Sequence, residues 1–79
     1  MNRDFYREAI EISNKMEKEG LLKNSQIIRN LIENGSTGTE ILMTLHFNLG
    51  NIIKERLISN RDLMGRISDL YEAIDKILK

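Results

Sequence analysis

The chain carries one histidine, His46, no cysteine, and twelve carboxylate side chains against twelve lysines and arginines. A hydrolytic site built on His46 would need a serine or threonine beside the ring and a carboxylate behind it to orient the imidazole. A metal site would need further ligands one helical turn away, but positions 42, 43, 49 and 50 are Leu, Met, Leu and Gly. Neither spacing surrounds His46, which is therefore expected to be a partly exposed structural residue. The lack of cysteine removes disulfides, thiolate zinc sites and cysteine nucleophiles together. The segment Gly35-Ser36-Thr37-Gly38-Thr39 could offer backbone amides to an anion, yet it has no lysine and follows no strand pattern, as a phosphate loop would. Helix capping accounts for it. The acidic residues are mostly interleaved with basic ones: Asp4, Arg7, Glu8, Glu11 and Lys15, and again Asp62, Arg66 and Asp69, recur at helical spacing and read as solvated faces. No enzyme, cofactor or metal site is expected.

The elements that hold these residues are helices. Phe5, Ala9, Ile12 and Met16 step by four, three and four along one face, with Tyr6 and Ile10 at its margin, and Gly20 follows as a residue able to take left-handed backbone geometry. Leu21 and Leu22 are expected to pack across that turn. Asn24 or Ser25 can cap a second, shorter helix carrying Ile27, Ile28, Leu31 and Ile32 and ending at Asn34-Gly35. Thr37 and Glu40 have the spacing of a capping box ahead of the third helix. Ser59 and Asp62 repeat that spacing before the fourth, with Asn60 as a competing cap. In the fourth helix Leu63, Ile67, Leu70, Ile74 and Ile77 form a stripe broadened by Met64, Tyr71 and Leu78, the width of a bundle helix rather than of a two-stranded coiled coil. No strand-like alternation occurs. The pattern predicts one all-α domain over 1–79, a small four-helix bundle with helices at about 3–19, 25–34, 38–56 and 60–78.

Composition narrows the role. With 41% hydrophobic and 30% charged residues the chain can fold. At 79 residues it hides only about 60% of its unfolded surface, so self-association or a partner would help it. The formal net charge is zero, which denies it the broad field that draws proteins to nucleic acid or anionic membrane. No run of ~20 apolar residues could span a bilayer, and the polar start Met1-Asn2-Arg3-Asp4 does not resemble a secretory signal. A cytoplasmic location is expected. Gly50 and Gly65, inside predicted helices, point to close packing or a bend at those places.

The third helix is apolar on two sides. Ile41, Leu42, Leu45, Leu49, Ile52 and Ile53 fall within an arc of about 120°, whereas Met43 and Phe47 lie at roughly 200° and 240° from Ile41. The plainer account makes this the central helix, touching neighbours on both sides. The alternative makes Met43 and Phe47 an exposed patch for a second copy or another protein. Helices two and three could also be taken for a helix-turn-helix, but the third has no lysine or arginine before Lys54 for phosphate or base contacts.

The run Gly35-Ser36-Thr37-Gly38-Thr39-Glu40-Ile41-Leu42-Met43 resembles a GSTGTEILM motif of small all-helical bacterial proteins, some of them similar to immunity proteins of toxin systems. In that group the motif leads into a basic residue and a tryptophan on the third helix. Here the region is Thr44-Leu45-His46-Phe47, so Phe47 keeps an aromatic where Leu45 or His46 replaces the basic residue. The resemblance implies a helical protein that binds and neutralises a cognate toxin. Met43 and Phe47 are then the anchor candidates, His46 and Lys54 lie beside them, and Glu55, Asp69, Glu72 and Asp75 could oppose a basic toxin surface. The alternative partner is a second copy, with the stripe on helix four extended across a two-fold axis.

Overall fold

Asp4 opens the first helix by accepting a hydrogen bond from the Arg7 backbone N–H at 3.0 Å, and α1 spans Phe5–Lys18. The computed structural model describes residues 3–35 and 37–79. Met1, Asn2 and Ser36 lie outside them, and with them part of the polar N-terminal run and the second residue of the GSTGTEILM motif. At the far end of α1 the Gly20 N–H donates to the Glu17 carbonyl (3.0 Å) and the Leu21 N–H to the Met16 carbonyl (2.9 Å), with Gly20 at φ +88°. This paired closure needs the left-handed residue that glycine supplies without a Cβ clash.

The second helix starts earlier than its polar residues suggest. α2 spans Leu22–Asn34, Leu21 is its cap without any side-chain hydrogen bond, and the Leu21 carbonyl accepts from the Ser25 N–H at 3.0 Å. The turn after α1 leads directly into the next helix, so neither Asn24 nor Ser25 caps it. Ser25 points inward instead, and its buried hydroxyl has no hydrogen-bond partner among the described residues. Gly35 ends α2 in an extended conformation and is small for a different reason. A Cβ there would meet the Ile41 side chain and lie 2.5 Å from the Leu31 carbonyl oxygen.

Helix α3, Gly38–Glu55, begins at Thr37, whose hydroxyl accepts from the Glu40 N–H at 3.2 Å as the capping-box spacing predicts. It ends in the same paired closure as α1, with Arg56 N–H donating to the Ile53 carbonyl and Leu57 N–H to that of Ile52. Here Arg56 takes the left-handed position, φ 52° and ψ 48°, where a side chain is disfavoured. Asn60, rather than Ser59, caps α4 (Arg61–Leu78) by accepting from the Leu63 N–H at 3.1 Å.

The four helices form a ring in which each packs on the next in sequence and α4 closes against α1. Side-chain contacts link the neighbours: Arg29 of α2 donates to Asn14 and Glu17 of α1, and Arg3 at the start of α1 reaches Asp69 of α4. The core is Ala9, Ile12 and Met16 from α1, Ile28 from α2, Ile41, Leu45, Leu49 and Ile52 from α3, and Leu63, Ile67, Leu70 and Ile74 from α4. Ile58, in the last turn, fills one end. The all-α four-helix bundle read from the sequence is the observed fold. Leu22, expected to pack across the turn after α1, is exposed instead, and so is Ile27, so α2 lends the core fewer side chains than its apolar residues suggest. The α4 stripe is consumed within its own chain, leaving Ile77 and Leu78 exposed at its end. No helix among the described residues is long and apolar enough to cross a membrane.

Gly65 departs from its expected role: it is exposed, and a Cβ there would meet nothing within 4 Å. Replacing it with alanine is therefore expected to stabilise the fold by about 0.5–1 kcal/mol through helix propensity alone. Ser25→Ala removes a buried, unpartnered hydroxyl and is expected to add about 1 kcal/mol. Urea titrations of the two variants check both values.

Candidate protein-contact site

A ring of four helices leaves each helix one outer face. On α3 that face holds Met43 and Phe47, with 57% and 66% of their surface exposed, more than any other large apolar residue among those described. Four residues apart, they adjoin on the helix surface. They cannot turn inward while Ile41, Leu45, Leu49 and Ile52 occupy the core side, because the two sets lie on different sectors of one helix. The structure thus leaves uncovered the residues that a central third helix would have buried. α3 does touch two neighbours, α2 and α4, yet Met43 and Phe47 stay mostly exposed.

The flank toward α4 is built from aromatic and ionic contacts. The His46 ring stacks on Tyr71, centroids 4.3 Å apart and planes inclined by 11°. His46 Nε2 lies 3.0 Å from Asp75 Oδ1, and the second oxygen of Asp75 accepts from Lys79 Nζ at 2.9 Å. An ionised carboxylate only accepts, so Nε2 carries the proton in this contact. The Lys79 ammonium, aided by His46, holds the Asp75 carboxyl below its ordinary range against the opposing effect of burial. Asp75 in turn raises Lys79. Gly50 makes the stacking possible: a Cβ there would sit 3.0 Å from Tyr71 Cε1. Between these groups runs an open groove of about 360 Å³, lined by His46, Phe47, Gly50, Asn51, Lys54 and Tyr71.

Of the residues singled out in the sequence, Met43, His46, Phe47, Lys54 and Asp75 thus lie on or beside the outer face of α3. The proposed acidic surface does not come together. Glu55 lines a separate cleft with Asn24 of α2, and Asp69 pairs with Arg3 at 2.6 Å on the α1 side of α4. Glu72 is exposed and forms no ion pair with another described residue, while Asp75 is already held by His46 and Lys79. Asp69 and Asp75, six residues apart on α4, point about 120° away from one another, and Glu55 belongs to α3. Tyr71 and Gly50 belong to the site and were read from the sequence only as a stripe residue and a packing glycine. Gly50, costly in mid-helix, was the one signal that an aromatic ring comes close.

Among the described residues no group of three or more His, Cys, Asp or Glu is placed to hold a metal ion. What the site offers is an apolar pair beside a groove with a polar rim. Comparison of the chain with family models, curated proteins and solved structures gave no match.

Two outcomes follow from the contacts with Tyr71 and Asp75. Gly50→Ala gains helix propensity but presses on a ring already stacked on His46, so it is expected to lower stability where Gly65→Ala raises it; paired urea titrations check the contrast. Because the Asp75 carboxyl is depressed in the folded chain, its ion pair stabilises at neutral pH and is lost as pH falls through the lowered value. Asp75→Asn is expected to melt below the unsubstituted protein at pH 7, and the gap to narrow as pH is taken below 3.8.

Proposed function

We propose that this chain works by protein contact rather than by catalysis, as an immunity protein whose α3 face covers and neutralises a cognate bacterial toxin. The observation that carries the contact reading is the adjacent, exposed pair Met43 and Phe47 on a helix that is otherwise anchored in the core. A large aromatic beside a groove, rimmed by polar groups, is the composition from which interface hot spots are made. The groove over Gly50 and Tyr71 gives a partner side chain somewhere to sit, and Lys54 and Asn51 supply the rim. The toxin reading rests on the GSTGTEILM resemblance. That motif contains the Thr37 cap, the buried Ile41 and the exposed Met43, so it both starts α3 and fixes the phase of its outer face.

The test is to mix the purified protein with the product of the neighbouring gene and follow complex formation and toxin activity. A complex is expected, with Phe47→Ala weakening it by about 30-fold or more, the loss typical of a central aromatic anchor. No complex and no protection would end the immunity reading. A complex that tolerates both Phe47→Ala and Met43→Ala would move the contact surface off α3.

A further inference from the structure

The outer face of α3 has a property that a generic sticky patch lacks: it is charge-complementary to itself. Phe47 lies at its centre. Glu40 lies seven residues before Phe47 and Lys54 seven residues after it, and all three are exposed. Seven residues advance a helix by nearly two whole turns, so each charge lies within about 20° of the Phe47 direction, and the two charges sit roughly 10 Å either side of the ring. If two such helices cross antiparallel about a two-fold axis at Phe47, Glu40 of each faces Lys54 of the other. Met43 then meets Asn51, and the two Phe47 rings meet on the axis. A parallel arrangement would oppose like charges at both ends.

We propose that, in the absence of another partner, this face is occupied by a second copy of the chain in that antiparallel α3–α3 arrangement. The proposal rests on the reading of α3 as the contact face and names an occupant for it. Glu40 need not lack contacts within its own chain, since a carboxylate accepts from more than one donor. The core of each bundle is complete without the partner, so each chain folds first and pairs afterwards. An 18-residue helix is about 27 Å long, and one such face buries an area at the low end of specific interfaces. The dimer is therefore weak and concentration-dependent, and a heterologous partner engaging Phe47 would compete with it.

Sedimentation equilibrium from about 10 μM to 1 mM tests this, at low ionic strength where the ion pairs are least screened. The protein is expected to pass from monomer to dimer over that range. Lys54→Glu and Glu40→Lys should each weaken the dimer by about tenfold, because each places like charges together twice, and the double variant Glu40→Lys/Lys54→Glu should restore it. Circular dichroism confirms that every variant is folded, which matters for Glu40 near the helix start. A monomer throughout, or a dimer indifferent to both charge changes, would overturn the pairing. The heterologous reading is judged separately, by whether Phe47→Ala weakens the complex with the toxin candidate.

Discussion

A single helix cannot bury two opposite faces when only one of them looks into the core. That constraint organises the structure. α3 commits Ile41, Leu45, Leu49 and Ile52 inward, all at 7% exposure or less, and the phase of the helix then carries Met43 and Phe47 outward. The ring arrangement offers no relief, because α2 and α4 already occupy the two flanks of α3. Burying Phe47 within the chain would require rotating α3 and exposing Leu45 and Leu49, both fully buried now. Each would lose on the order of 2 kcal/mol of burial, more than the exposed pair could return. The outward apolar pair is thus a consequence of the packing that holds the bundle, and any partner of this face inherits its register from that packing.

The ends of the helices supply the rest of the definition. α1 and α3 finish in the same two-bond closure, one through Gly20 and the other through Arg56, and both send a leucine into the following turn. Thr37 and Asn60 then restart the chain with side-chain caps, whereas α2 restarts from backbone alone. These short turns keep successive helices adjacent, and the chain closes so that α4 lies beside both α1 and α3. His46 and Tyr71 meet as a result, although 25 positions separate them in sequence.

The number and order of the helices were legible because their apolar residues recur at 3.6-residue spacing and their boundaries carry glycine, threonine or asparagine. Gly20 could be assigned its left-handed role from its place after Met16 and the charged last turn. The start of α2 was not legible: Asn24 and Ser25 have capping chemistry, and only the tertiary turn shows that the helix has already begun. Gly50 and Gly65 look alike in sequence and differ entirely in space, one under a stacked tyrosine and the other facing solvent. At the candidate site the phase of Met43 and Phe47 was readable, but whether a neighbour covered them was not, since that depends on which helices flank α3. The Asp75 contact with His46 and the Asp69 contact with Arg3 join distant parts of the chain, so no local spacing announces them.

The outer face of α3 stands open in the isolated chain, and in the function proposed above it closes on another protein. Methyl resonances of labelled methionine report on it directly, because Met43 lies on that face and Met16 is fully buried. In dilute protein with a soluble paramagnetic agent, the Met43 methyl should relax strongly while the Met16 methyl is shielded. Adding partner, or raising the protein concentration, should shield Met43 and leave Met16 unchanged. A Met43 methyl as protected as Met16 in dilute protein would rule out an open α3 face, and one that stays exposed throughout would rule out α3 as the contact face.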